Sequence, residues 1–338
     1  MNMMYDHFIA VDWAQRNMAI ARMTRHSHEA QVIDVPSDIG DLRLYLRQLQ
    51  GKKILTFEEM NAAQWLYTEL REEVDEIVVC DPYRNHLLKE GAKNDKIDAR
   101  KLALLLRAGL LKPVFHTSDS FIEIRKLLTG YQHVVSSGVR MKNQRAAMFR
   151  ARGMPQTEEK LPLSSEMFVL EGLDRGIAEY EEEKLRYEKE FKAIHRKNSF
   201  VRLIESIPGI GVIGAVKVAA IVVDPRRFPD RSHFLSYCGL IRHQKMSGGM
   251  SYGFRRARSC LILKTVFKTA AINCTMARCS GSENPFRSYY HDLIDKRGYA
   301  EHNARHAVAR RIAVVTYGVM KSQTKFKDFW RDERNQDS

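Results

Sequence analysis

Cysteine is scarce in this 338-residue chain, and what there is lies scattered. Cys80, Cys238, Cys260, Cys274 and Cys279 form an odd set of five with no Cys-x-x-Cys spacing. That argues against a disulfide-stapled scaffold and a thiolate zinc site, and for a reduced, intracellular setting. The twelve histidines contain no His-Glu-x-x-His spacing, so zinc is not expected through them either. No uninterrupted apolar run reaches the ~18 residues of a membrane span. The opening MNMMYDHFIAVDWAQRNM also lacks the long apolar core of a secretory signal. The expectation is a soluble, cytoplasmic protein with no membrane partner. No internal repeat is evident.

Acidic residues are also in short supply. Asp and Glu total 41 against 55 Lys and Arg, a formal net charge of +14. Such an excess favours an anionic partner, nucleic acid or a membrane surface, without choosing between specific and loose binding. The chain is otherwise ordinary, 44% hydrophobic and 28% charged. It is long enough for one or two packed domains, and wholesale disorder is not expected.

Hydrophobic patterning gives a coarse map. Residues 8–12 (FIAVD), 18–23 and 31–35 read as short strands, with two more at 53–57 and 76–80. Helical spacing occupies 38–48, 62–70, 83–89 and 95–108. A strand meander followed by alternating strands and helices predicts a mixed α/β domain to about residue 118. Residues 122–151 read as one long helix, with Gly130 and Gly138 as tolerated interruptions. A polar connector over 153–165, carrying Pro155 and Pro162, leads to a charged helix over 177–195. Together they form an antiparallel helical hairpin, either a solvated spacer or an arm for assembly or nucleic-acid binding. In a third region, IPGIG at 207–211 separates two short helices, and 234–240 leads into a polar loop over 243–251. Core helices are expected at 255–274 and 302–320, and a polar, fraying end over 321–338. The fold class is therefore α/β plus α-helical.

Three constellations could carry chemistry. Asp12 ends the first strand, Glu58 and Glu59 end a later one, and Asp95 and Asp98 lie three apart on one helix. Four carboxylates brought together repel unless cations neutralise them, and hard oxygen donors suit Mg²⁺ or Mn²⁺. Two such ions could serve phosphodiester chemistry. The plainer alternative is a set of surface acids, with Asp95 capping its helix. Lys93, Lys96, Arg100 and Lys101 form a cationic rim that fits a phosphate backbone or simple charge balance. The second constellation is Ser247 in QKMSGG, exposed beside two glycines, with His243 nearby. It could be a nucleophile or a flexible loop, and it does not fit the Gly-x-Ser-x-Gly elbow. The third is basic and aromatic. It comprises Arg255, Arg256 and Arg258, then Lys264 and Lys268, then Arg305, Arg310 and Arg311, interleaved with Tyr252, Phe254, Phe286, Tyr289 and Tyr290. Such residues clamp phosphates and stack on bases, or form a solvated face. Gly209 and Gly211 of IPGIG allow either a phosphate-contacting turn or a helix–helix turn.

These motifs have a recognisable combination. VDWA at 11–14, FEE at 57–59 and NDKIDARKLA at 94–103, followed by IPGIG, YCGL at 237–240 and QKMSGG, resemble the serine-using DEDD transposases of bacterial insertion sequences, which are guided by a bridge RNA. The resemblance spans most of the chain. It implies a ribonuclease-H-like (RuvC-like) mixed-sheet domain over 1–118, a helical arm over 119–200 and a mainly helical serine domain over 201–330. The family's acidic positions fall on Asp12, Glu58, Asp95 and Asp98. Glu59 is the alternative within the doublet, and Met60 and Asn61 depart from the small-residue pattern that follows this Glu. The implied cofactor is Mg²⁺, with Mn²⁺ possible. The catalytic serine falls on Ser247, which would attack a DNA phosphate and form a 5′-phosphoserine, reversed later by a 3′-hydroxyl without ATP.

The implied partners are donor and target double-stranded DNA, a structured guide RNA, and further copies of the chain in a tetramer in which one subunit's serine domain completes another's acidic site. The nucleic-acid-facing residues would include Lys93, Lys96, Arg100, Lys101, Gly209, Gly211, Arg255, Arg256, Arg258, Arg305, Arg310 and Arg311. The setting would be the bacterial cytoplasm, at the nucleoid. Two other readings share part of this pattern: a metal-dependent, structure-specific nuclease of RuvC-like fold, and a catalytically inactive nucleic-acid-binding relative.

Overall fold

A computed structural model describes residues 4–82, 94–117, 121–158, 160–255, 258–276 and 284–327. The chain divides into two compact units, Met1–Asp119 and Ser120–Ser338.

The first unit is a five-stranded sheet between two helical layers. Its strands are β1 (His7–Trp13), β2 (Asn17–Thr24), β3 (Gln31–Pro36), β4 (Lys53–Glu58) and β5 (Glu76–Cys80), in spatial order β3-β2-β1-β4-β5. The meander β1–β2–β3 is antiparallel, while β4 and β5 join β1 in parallel. Parallel pairing requires a crossover, supplied by α1 (Ile39–Gln48) and α2 (Ala63–Leu70). The period-two alternation of the central strands sorts their side chains onto two faces. Ile9, Val11, Leu55 and Phe57 meet Leu42 and Leu46 of α1 and Leu66 and Leu70 of α2. Phe8, Ala10, Ala19, Ala21 and Ile54 meet α3 (Asp95–Ala108) through Ala99, Leu102, Ala103 and Leu106. Alanines on both sides of that second interface let the helix approach closely. This mixed sheet is ribonuclease-H-like, of the RuvC kind.

The second unit is mainly helical. Helices α4 (Phe121–Ala151) and α5 (Ser164–Lys197) form the expected hairpin, whose tip has its own small apolar cluster of Phe149, Leu161 and Leu170. Its base shares one core with α6 (Ser199–Glu205), α7 (Val212–Val222), α8 (Arg231–Tyr237), α9 (Leu261–Thr275), α10 (Pro285–His291) and α11 (Glu301–Ser322). A hairpin of β6 (His243–Ser247) and β7 (Met250–Arg255) leaves this helical body.

Several expectations need correction. Helix α5 begins at Ser164 rather than near 177. Gly172 and Gly176 weaken local propensity, but Gly176 lies against Met141 of α4, and packing carries the helix through. The polar stretch 243–251 is a β-hairpin, not a loop. Gly248 and Gly249 both have positive φ (55° and 79°), as a tight two-residue turn requires. The helix expected from 255 starts only at Leu261, because Arg255 belongs to β7. Gly130 and Gly138 are packing requirements rather than tolerated interruptions: a Cβ on either would overlap Tyr187 or Tyr180 of α5. The helix expected at 83–89 lies outside the described residues, as do Lys93, Arg256, Cys279 and residues 328–338. No helix among the described residues is long and apolar enough to cross a membrane.

Candidate acidic active site

The sheet register sets the first two acids side by side. Ala10 of β1 pairs with Thr56 of β4 in parallel, so two residues further on Asp12 comes level with Glu58. Both have the parity of the α3-facing side chains, Phe8 and Ala10 on one strand and Ile54 on the other. Helix α3 lays its Ala99, Leu102, Ala103 and Leu106 stripe on that face. Asp95 and Asp98 continue the stripe by one turn toward the helix N-terminus. The helix is capped by Asn94, whose side chain accepts from the Lys96 amide at 3.0 Å. Asp95 therefore does not serve as the cap, and its side chain is available to the site. The helix dipole favours both acids in the first turn.

The four acids lie close enough for three of them to act on the charge of the fourth. The Asp12 carboxyl is pushed up to about 6, first by burial and then by the negative charges of Asp95, Glu58 and Asp98. Asp12, Glu58 and Asp98 are half-buried, and Asp95 is exposed. Asp98 Oδ1 is buried and accepts no hydrogen bond; Lys101 Nζ stands 3.8 Å from it. Across from Glu58 on β5, burial pushes the Cys80 thiol up to about 12, so it stays protonated.

Glu59 has a different environment. Its Oε2 lies 2.5 Å from His116 Nε2, and the other ring nitrogen of His116 faces Gln64 Oε1 at 3.2 Å. Gln64 in turn donates to the Thr117 carbonyl at 2.9 Å. His116 escaped the sequence reading. It lies 57 positions from Glu59 in a stretch without periodicity, and nothing local signals the contact. Trp13, next after Asp12, packs edge-on to Trp65 of α2, with ring centroids 5.6 Å apart, and so anchors the end of β1.

The donors fit a hard divalent cation in chemistry. They are carboxylate oxygens, one buried oxygen lacks a hydrogen-bond partner, and burial, then the neighbouring negative charges, works against the ionised form of Asp12. Among the described residues, no three His, Cys, Asp or Glu side chains are gathered as a ready ligand set. The fit is therefore one of charge and donor type, not of finished coordination.

Ser247 ends β6 beside the glycine turn, on a hairpin exposed along its whole length. Among the described residues nothing hydrogen-bonds to its hydroxyl. His243 sits at the other end of β6, paired with Arg255, and its Nε2 contacts Ser236 Oγ at 2.8 Å. Met250, Tyr252 and Phe254 alternate along β7 on the side Ser247 shares through its pairing with Met250, and all three are exposed.

The remaining predicted residues are dispersed. Lys96 faces Asp34 at 3.7 Å, and Arg100 is exposed on α3. Arg255, Arg258, Arg310 and Arg311 are exposed, while Arg305 is held by Glu301 and lies 6.0 Å from the Tyr290 ring centre. Gly209, at φ 86°, is packed against α9: a Cβ would collide with the Ala270 carbonyl, and Asn273 donates to the Gly209 carbonyl at 3.3 Å. Gly211 is the N-cap residue of α7 and has open space at its Cβ position.

Comparison with known families gives two matches. Residues 9–151 match the DEDD transposase model typified by IS110, and residues 201–291 match the transposase IS116/IS110/IS902 family. The chain belongs to the IS110-type transposases. The first match contains Asp12, Glu58, Asp95 and Asp98, and the second contains Ser247. Among relatives, the transposase for insertion sequence element IS1111A of Coxiella burnetii is 24% identical over 253 residues, covering 70% of this chain and 68% of that protein. An insertion element IS110 protein of Streptomyces coelicolor, described as an uncharacterized 43.6 kDa protein, is 25% identical over 160 residues. That match covers 47% of this chain and 38% of the relative.

Proposed function

We propose that the chain is an RNA-guided DNA recombinase that cuts and rejoins DNA through a covalent phosphoserine on Ser247. The observation that supports this reading is the placement of Asp12 and Glu58 at neighbouring strand ends and of Asp95 and Asp98 in the first turn of α3, with Asp12 pushed up to about 6 by burial and then by the charges of the other three. Side chains that repel in this way are stabilised by a cation, and Asp12, Glu58, Asp95 and Asp98 would hold it. Bound Mg²⁺ or Mn²⁺ supplies Lewis acidity at phosphoryl oxygens. Glu58 is assigned in preference to Glu59 because His116 engages Glu59.

The Ser247 hydroxyl, unencumbered at its hairpin tip, supplies the nucleophile. Its Oγ forms a bond to phosphorus as the P–O3′ bond breaks. The hydroxyl proton passes to a base, and the 3′ oxygen leaves as a hydroxyl. One phosphoester replaces another, so attack by a new 3′-hydroxyl can reverse the step without ATP. Donor and target DNA are the substrates, a structured RNA supplies sequence recognition, and the working form is a tetramer. The acidic domain (1–118), helical arm (119–200) and serine domain (201–330) divide these tasks.

The test is a denaturing gel of the protein incubated with Mg²⁺, donor DNA and the RNA of its own element. An SDS-resistant protein–DNA adduct is expected, lost in Ser247→Ala and in Asp12→Ala. Cleavage that survives Ser247→Ala and leaves only hydrolysed ends would overturn the serine mechanism in favour of a RuvC-like nuclease.

A further inference from the structure

Helices α9 and α11 pack against each other, and each carries a file of basic residues along one edge. Lys264 and Lys268 stand one turn apart on α9. His302, His306 and Arg310 stand at successive turns of α11. The i, i+4 interval spaces neighbours in a file by about 6 Å along the axis. His302, His306 and Arg310 are exposed, and the two lysines are half-buried. Among the described residues no carboxylate pairs with any of the five. Their neighbour Arg305 shows the contrast, since it is held by Glu301. Many other cations of the chain are likewise neutralised: Arg43 by Glu69, Arg47 by Glu73, Arg145 by Asp174 and Arg152 by Glu166.

The two files act on one another. The His306 imidazole is held below its ordinary value, first by burial and then by Lys268, Arg310, Lys264 and His302. Like charges this close destabilise the free protein. Uncompensated positive charge arranged in two files is relieved by a partner with regularly spaced negative charge.

We propose that these two files form a binding track for the phosphodiester backbone of a nucleic acid, with Lys264, Lys268, His302, His306 and Arg310 meeting its phosphates. Contacts of this kind position a strand and carry no base specificity. The track rests on the reading of the chain as a nucleic-acid recombinase. It adds a surface separate in sequence from the serine hairpin and the acidic site.

The experiment uses the full-length protein and short fluorescein-labelled duplexes, one of DNA and one of RNA, titrated by anisotropy across a salt series. Lys264→Gln/Lys268→Gln is expected to weaken binding by at least about tenfold in 0.1 M salt and to flatten the log–log salt slope by about 2, since two phosphate contacts are lost. His302→Gln/Arg310→Gln, made wholly at exposed positions, is expected to weaken binding too, and it keeps the test valid if the lysine variant fails to fold. Arg43→Gln/Arg47→Gln removes the same formal charge from ion-paired arginines and is expected to stay within about twofold of wild type. Loss on both duplexes supports a shared backbone site, and loss on one supports the track and names its nucleic acid. Folded α9 and α11 variants that keep the wild-type affinity and slope would overturn the track. Binding is read without strand cleavage, so that failure would leave the phosphoserine mechanism standing. Conversely, absence of an adduct would leave a measured track intact.

Discussion

Burial first, and then the negative charges of its neighbours, works against an ionised Asp12, so removing its charge should strengthen the fold. Folding takes its carboxyl from an ordinary 3.8 up to about 6. At about 1.4 kcal/mol per pH unit, this bounds the effect near 3 kcal/mol. Asp12 is partly open to solvent, and screening reduces the expected value to about 1–2 kcal/mol. The sign follows from linkage: the native state binds the proton more tightly than the unfolded chain. Its contribution to stability is thus complete below pH 3.8, declines as pH rises and is lost above about 6. Asp12→Asn should therefore stabilise the protein by about 1–2 kcal/mol at pH 8 and by roughly half as much at pH 5. Urea unfolding followed by tryptophan emission is suited to the measurement, because Trp13 and Trp65 sit beside the site. Added Mg²⁺ should raise the stability of the wild type and leave the variant nearly unchanged, closing the gap between them. A variant less stable than wild type at pH 8, or a difference that ignores pH, would refute the electrostatic reasoning.

Other consequences are open to direct measurement. Glu58→Gln should abolish strand cleavage, whereas Glu59→Gln, which loosens only the His116 contact, should retain at least about tenfold more activity than Glu58→Gln in the same gel assay. Gly138→Ala should lower stability by about 1–3 kcal/mol in thermal unfolding, because the added methyl overlaps the Tyr180 ring across the α4–α5 interface. Gly209→Ala should destabilise the second unit by more than about 1 kcal/mol, since it combines a left-handed φ with a clash against the Ala270 carbonyl. Asn94→Ala should cost about 1 kcal/mol by removing the cap of α3, seen as earlier urea unfolding of the first unit.

Much of the first unit was legible because its periodicities are strong and local. FIAVD, KILTFE and EIVVC are short apolar runs bounded by polar turns, and the DKIDARKLALLLRA stripe has helical spacing. The same periods put Asp12, Glu58, Asp95 and Asp98 at element ends, but spacing alone left a metal site and a set of surface acids both open, and the resemblance favoured the site. The choice between Glu58 and Glu59 could not, because it depends on which carboxylate His116 reaches from a distant segment. The hairpin at Ser247 was hidden for another reason. An isolated two-stranded ribbon with exposed side chains lacks the buried face that gives strands their alternation, and only Gly248 and Gly249 hinted at its turn. Gly130 and Gly138 looked incidental since their partners, Tyr187 and Tyr180, lie on the opposite helix. Helix α5 was underestimated for the same reason: its first turns are carried by packing rather than propensity.

The most direct test of the central claim is the site of covalent attachment. Trapped protein–DNA adduct, digested with nuclease and trypsin, should yield the peptide spanning residues 246–255 with its mass raised by a nucleotide remnant. Fragmentation should place that remnant on Ser247. Attachment at Ser251 in the same peptide, or at any other residue, would contradict the account, as would cleaved DNA with no modified peptide at all.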